Sequence, residues 1–188
     1  MYHYFAPMEG LTDSIYRELH HRFFPGIDRY YTPFLSPTVH RKLTSKEERE
    51  LPPADSLGVC VVPQMLTKNP ADFLWLAQEI HDRGYSQVNL NLGCPSGTVV
   101  AKGKGSGMLA DADALDAFLN EIFAAAPLPI SIKTRLGVQS PEEFRCIMDV
   151  YARYPLAELI VHPRVRKEKY RGAVHLDSFA YVLAESRN

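Results

Sequence analysis

Short apolar runs alternate with amphipathic stretches along the whole chain, and this rhythm limits what it can fold into. The runs are YHYFAPM (2–8), DRYYTPF (28–34), VCVVPQM (59–65), QVNLNLG (87–93), PISIKTR (129–135) and ELIVHPR (158–164). Helical patterns fall between them near 13–24, 70–83, 111–125 and 141–154, and a last one near 176–186 follows the sixth run. Strand alternating with helix argues for parallel βαβ units. Several helix starts carry their own signals. Asn69-Pro70 places a capping residue before a proline at the first helical position. Ser140 with Glu143 three residues on fits a capping box, and Asp111 can cap the helix that follows it. Segment 36–57 lacks a clear period and reads as a long excursion, partly helical at most.

Two architectures fit this rhythm, an open doubly wound sheet and a closed (β/α)8 barrel. The strand ends favour the barrel. Runs three to six finish with Gln64, Cys94, Lys133 and His162, each a reactive or hydrogen-bonding residue after apolar ones. In a barrel, such ends converge on one mouth. An open sheet would concentrate function at a single switch point. A full barrel has eight units and about 250 residues, whereas six units are legible in these 188 residues. The expected fold is therefore α/β, a (β/α)8 barrel truncated after about six strand-helix units. Such a chain has open strand edges, through which copies could self-associate.

The bulk composition narrows the setting. A formal net charge of −1 gives no global field for nucleic acid, so any such partner must be held by a local patch. Three cysteines at irregular spacing suggest neither a disulfide framework nor a metal site, and a reducing cytoplasm is expected. Cys60 and Cys146 are expected to be buried small hydrophobes. The first residues, MYHYFAPMEG, do not read as a signal peptide. No apolar run approaches the ~20 residues that span a membrane.

The segment NLNLGCPSGTVVAKGKGSGML (89–109) carries the sharpest signal. It sets the Cys94 thiol just past a strand, between Gly93 and Pro95, before a Gly-rich loop that must fold around something. The AKGKGSG run (101–107) lacks the spacing of a phosphate-binding P-loop, and no dinucleotide fingerprint stands where one would be needed. Lys133 ends a strand with Arg135 on the same face. A Schiff-base lysine is one reading. A protonated lysine beside an electron-rich or anionic ligand is the other, and the neighbouring guanidinium favours it. Beyond His162, residues 164–171 gather Arg164, Arg166, Lys167, Lys169 and Arg171 around Tyr170. That is a solvated loop, or the basic and aromatic mixture that phosphate contact and base stacking require.

Five pieces in order bring a resemblance. They are Ala6-Pro7-Met8-Glu9-Gly10 with Thr12-Asp13; Gln64; Asn91-x-Gly93-Cys94-Pro95 with the loop behind it; Lys133-x-Arg135-x-Gly137; and His162-x-Arg164 with Tyr170-x-Gly172. Together they resemble the tRNA-dihydrouridine synthases, flavoprotein TIM barrels. The resemblance implies FMN across the barrel mouth, contacted by Pro7, Met8, Glu9, Gln64, Lys133 and His162. It places Asn91, Arg135 and Arg164 near the substrate. NADPH or NADH would be the reductant, and uridine in tRNA would become 5,6-dihydrouridine. Cys94 would be the proton-donating thiol, a role that suits an ordinary thiol at neutral pH (pKa about 8.5). Neither a metal nor a membrane is expected.

The family pattern also includes an Asn-Gly-Asp/Glu segment, a Gly-Arg segment that grips the FMN phosphate, and a C-terminal helical domain that helps hold tRNA. None of these is found in 1–188, so the chain is expected to be a fragment of the catalytic barrel. A flavin barrel acting on a free pyrimidine, and a non-catalytic half-barrel, are the competing expectations.

Overall fold

Every paired strand in the computed structural model runs parallel to its neighbours, and the strands follow one another in chain order. The structure describes residues 1–54 and 58–186. One ladder joins β1 (Tyr4–Phe5), β2 (Arg29–Tyr31) and β3 (Val61–Val62). A second joins β4 (Gln64–Met65), β5 (Val88–Leu92), β6 (Ile130–Arg135) and β7 (Leu159–His162). β3 and β4 are the two halves of the third expected strand, parted by Pro63, which has no N–H to give a ladder. Before the proline, the Val62 carbonyl accepts from Thr32 N–H (3.2 Å); at the proline, the carbonyl accepts from Asn89 N–H (2.9 Å). Beyond the proline the Gln64 carbonyl accepts from Leu35 N–H (2.8 Å), so the strand keeps the chain after β2 on one side while β4 pairs with β5 on the other. Six strand positions in sequential parallel order are the first six of a (β/α)8 barrel, with β1 and β7 at the edges.

The helices form where local signals and one apolar stripe agree. α1 (Ser14–Phe23) is capped by Asp13, whose carboxylate accepts from Tyr16 N–H at 2.9 Å. α2 (Ser45–Glu50) lies in the 36–57 excursion and starts on a Thr44–Glu47 capping box. α3 (Pro70–Asp82) is capped by Asn69 and buries Phe73, Leu76, Ala77 and Ile80, one helical stripe. The segment after Cys94 is more ordered than a Gly-rich loop suggests. It holds α4 (Gly97–Val100) and a 3-10 turn over Gly105–Ala110. α5 (Ala112–Ala125), capped by Asp111, buries Leu115, Phe118, Leu119 and Ile122. α6 (Phe144–Tyr151) follows a 3-10 turn in which the Glu143 carboxylate accepts from the N–H of Ser140 (3.1 Å) and Val138 (2.6 Å). α7 (Leu176–Glu185) buries only Val182 and leaves Leu176 and Leu183 exposed, Leu183 beside the unpaired side of β7. Each fully buried Leu, Ile or Phe on these stripes contributes roughly 1.5–3 kcal/mol.

Outward residues of the strands, such as Val88, Leu90, Leu92, Ile130 and Ile132, are buried in the hydrophobic core. The inward face is polar. At the amino-terminal end of the sheet, Glu158 accepts from the hydroxyls of Tyr4 (2.8 Å) and Tyr31 (2.7 Å) and pairs with Arg29. Burial pushes the Glu158 carboxyl up, but the two hydroxyls and Arg29 outweigh it and hold it below the usual range. This cluster joins the first two strands to the start of β7 across the lumen.

Two cysteine expectations are overturned, since Cys60 and Cys146 are both exposed. Cys60 shares strand parity with Gln64, which puts it on the lumen side rather than among the outer helices. Cys146 falls between the buried residues Phe144, Ile147, Met148 and Tyr151 of α6, on the helix's outer face.

Candidate active site

The carboxyl ends of the strands surround one cleft of about 350 Å³. Nine of the ten expected site residues line it: Pro7, Met8, Glu9, Gln64, Asn91, Cys94, Lys133, Arg135 and His162. Ala6, Phe34, Gly93 and Tyr170 complete the lining. Arg164 stands one layer behind, with one guanidinium nitrogen 3.0 Å from His162 Nε2 and the other donating to the Gly172 carbonyl at 2.8 Å.

The floor is a chain of amides. Gln64 Nε2 donates to Asn89 Oδ1 (2.8 Å), and Asn89 Nδ2 donates to Ser131 Oγ (2.9 Å). Asn91 Nδ2 donates to Gln64 Oε1 (2.8 Å). The other end of Asn91 shapes the turn to the thiol: Oδ1 accepts from the N–H of Gly93 (3.1 Å) and Cys94 (2.9 Å). Asn91 therefore sets where Cys94 stands. On the far side of the thiol, the Cys94 carbonyl accepts from Ser106 Oγ (2.8 Å) and Ser106 N–H (3.1 Å). Gly105, at φ +58°, packs against the same residue, and a Cβ there would come 3.1 Å from the Cys94 Cβ.

The first wall comes from the turn after β1. Met8 N–H donates to Thr12 Oγ1 (2.8 Å), and the Met8 carbonyl accepts from the N–H of Leu11 and Thr12. Glu9 pairs with Lys46 at 2.6 Å, tying this turn to α2. Buried Arg17 bonds the Thr12 carbonyl (2.9 Å) and Glu50 (2.6 Å), so α1, α2 and the turn are locked together.

Arg135 clamps the opposite side. Its Nε donates to the Gly93 carbonyl (2.8 Å), and Nη1 donates to the carbonyls of Lys169 (2.6 Å) and Val165 (3.3 Å). Its guanidinium lies 5.1 Å from the centre of the Tyr170 ring, and that ring is 5.9 Å from His162. Lys169 adopts φ +54°, a conformation non-glycine residues rarely take.

The electrostatics are those of a cation-rich mouth. Burial, then Arg135, pulls the Lys133 ammonium below its usual range, while Cys94 acts in the opposite direction. Among the described residues, no protein acceptor hydrogen-bonds the Lys133 ammonium. Burial, then Arg135, Lys133 and Arg164, lowers His162 to about 4, so the ring is neutral at pH 7. A guanidinium can only donate, so Nε2 of His162 is the acceptor toward Arg164 and Nδ1 carries the proton.

Of the lining residues, Phe34 stands outside the motifs quoted above; an apolar residue after a strand carries no chemical mark. A six-unit parallel barrel with one polar-floored cleft at its carboxyl ends defines the class: an enzyme-type (β/α)8 barrel mouth. The chain belongs to the dihydrouridine synthase (Dus) family, whose profile it matches over residues 4–186. It is 28% identical to a probable tRNA-dihydrouridine synthase of Staphylococcus epidermidis, covering 90% of this chain and 52% of that protein. It is 31% identical to the tRNA-dihydrouridine(16) synthase of Pseudomonas putida, covering 94% of this chain and 57% of that one. The chain thus spans about half the length of the curated relatives it matches. Among solved structures, a truncated 3-deoxy-D-arabino-heptulosonate 7-phosphate synthase from Thermotoga maritima superposes with a TM-score of 0.56 at 13% identity. The match covers 97% of this chain and 60% of that one, a likeness of fold. No helix of the described residues is long and apolar enough to cross a membrane.

Proposed function

We propose that this chain is the FMN-binding barrel portion of a tRNA-dihydrouridine synthase, which reduces uridine in tRNA with NADPH or NADH as electron source. The observation that carries the reading is the Lys133 ammonium, half-buried, without a protein acceptor among the described residues, and beside Cys94 in a cleft with apolar and amide surfaces. A buried cation without a partner calls for an electron-rich ligand. The cleft volume is at the lower end of small-molecule sites, and Ala6, Pro7, Met8 and Phe34 offer apolar surface to a flat ring. These features fit the ring of FMN, which when bound supplies a hydride for C6 of uracil.

The chain's own residues would do the rest. Lys133 favours negative charge on a ring lying against it. Neutral His162 offers its Nδ1–H as a donor to that ring. Cys94, aimed by Asn91 and Ser106, gives its proton to C5 of the uracil, and Arg135 keeps Tyr170 over the mouth. A uridine in folded RNA must leave its stack to reach this depth, at a few kcal/mol. Further barrel units between β7 and β1 would close the two free edges and supply the grip on the FMN phosphate.

The direct test is FMN titration of the purified chain followed by flavin fluorescence, with Lys133→Met beside it. Saturable binding that weakens at least tenfold in the variant is expected. Equal binding by both, or none by a version extended to the length of its relatives, would end the flavin reading. For the reaction, the extended protein should form dihydrouridine in tRNA, and Cys94→Ala should leave flavin reduction intact while abolishing that product.

A further inference from the structure

Three lysines meet beside the cleft with no carboxylate paired to them among the described residues. Lys68 follows β4, while Lys102 and Lys104 lie between Cys94 and α5. The Lys68 ammonium lies 3.3 Å from where a Cβ on Gly103 would stand, so it crosses the backbone between the other two. Lys104 is half-buried, and its Nζ donates to Ser36 Oγ at 3.0 Å. Burial, then Lys102, lowers the Lys104 ammonium; Asp72 opposes the shift, and Lys68 adds to it. Asp72 is itself drawn to Arg41 at 3.5 Å. Among the described residues, the ion pairs of the molecule use none of the three lysines.

Gathering like charges is unfavourable in the free protein, and here it happens in a chain whose net charge is −1. The location gives it a use. Ser36 is two residues from Phe34, which lines the cleft, and Lys104 precedes Gly105, which packs on Cys94. The patch therefore flanks the mouth outside the cleft lining.

We propose that Lys68, Lys102 and Lys104 form a subsite for backbone phosphates of the RNA strand that delivers its uridine to the cleft. This rests on the tRNA reading above and names a part of the surface that would hold the strand. A base drawn into the cleft leaves its phosphates at the rim. Lysines there act as point charges that position a backbone without reading its sequence. Lys104 would also transmit strand contact to the segment that fixes Cys94, through its bond to Ser36 and its neighbour Gly105.

The test is tRNA binding by fluorescence anisotropy over a series of salt concentrations, with the double variant K68Q/K102Q and with K104Q. Lys68 and Lys102 are exposed, so an unchanged melting temperature is expected for the double variant. Two lost phosphate contacts should flatten the slope of log K against log salt by about 1.5 and weaken binding about tenfold near 0.1 M salt. K104Q should flatten it by a further unit or so. If the unsubstituted protein binds tRNA and the variants bind with the same affinity and slope, the subsite is refuted and the tRNA reading stands. If the unsubstituted protein shows no salt-dependent tRNA binding, the tRNA reading falls and the subsite with it. Unaltered tRNA binding with a raised KM for the reduced nicotinamide would reassign the lysines to that small molecule's phosphates and overturn the proposal.

Discussion

Replacing Gly105 by alanine tests whether the segment after β5 fixes the Cys94 thiol. Gly105 is in the left-handed region at φ +58°, and a Cβ there would stand 2.9 Å from Val99 Cγ1 and 3.0 Å from the Cys94 carbonyl oxygen. The backbone conformation alone costs an alanine about 1–2 kcal/mol. The two contacts are too short to keep. Val99 can turn aside, but the Cys94 carbonyl is held by two bonds from Ser106, so the segment must shift as a unit. Overpacking of this kind adds about 1–3 kcal/mol. A combined loss of about 2–5 kcal/mol should lower the melting temperature by roughly 4–20 °C in a chain of this size. Calorimetry reads that term. The position of the thiol is read by iodoacetamide labelling resolved by peptide, with exposed Cys60 and Cys146 as internal references. Cys94 should change its labelling rate several-fold relative to both. Adding Val99→Ala removes one bad contact but neither the dihedral nor the carbonyl clash, so it should restore only part of the stability. A fall of less than 1 °C with unchanged labelling ratios would refute the argument.

Two further outcomes follow from the same geometry. Arg17 and Glu50 are both buried and 2.6 Å apart; Glu50→Ala should therefore cost about 3–5 kcal/mol by stranding the guanidinium, while the pair Arg17→Met with Glu50→Leu should be far milder, and chemical denaturation distinguishes the two. His162 has a folded-state pKa of about 4 against an ordinary 6.5, so the unfolded chain takes the proton first. The contribution of its neutral form to stability is complete above pH 6.5 and is lost as the pH falls toward 4. An NMR titration should show the ring neutral at pH 6 and the midpoint moving up in Arg164→Met, and an unmoved midpoint would dismiss the role given to Arg164.

Much of this was readable from residues that act locally. Asn69, Asp111 and Ser140 with Glu143 marked helix starts because capping satisfies orphan backbone groups within three residues. Strand ends could be brought to one mouth because parallel strands in a barrel share a direction. What stayed hidden depended on neighbours far along the chain. Pro63 sits inside an apolar run, and only the neighbours show how it is accommodated: its carbonyl accepts from Asn89 N–H, and the Gln64 and Leu66 bonds to Leu35 carry the ladder past it. Phe34 lines the cleft through its position after β2, where an apolar residue carries no chemical flag. Cys146 is legible from helical period alone: the stripe Phe144, Ile147, Met148, Tyr151 leaves it on the outer face, and that local pattern outweighs the general tendency of cysteine to be buried.

The polar lumen links fold and chemistry more closely than a list of site residues does. Gln64 and Asn91 use each other's amides, and Arg135 spends its donors on three backbone carbonyls, so the residues nearest any ligand are already bonded to protein. Buried amides left without partners cost about 1–3 kcal/mol each, which ties the floor of the cleft to the stability of β4, β5 and β6. Lys133 is the exception on the same surface. It lies level with Asn91 in the pairing of β5 and β6, yet its ammonium has no protein acceptor among the described residues. A network that satisfies its amides and leaves one half-buried cation free is pre-organised to receive charge at that point. The free charge, more than the shape of the cleft, sets this mouth apart from a packed barrel interior.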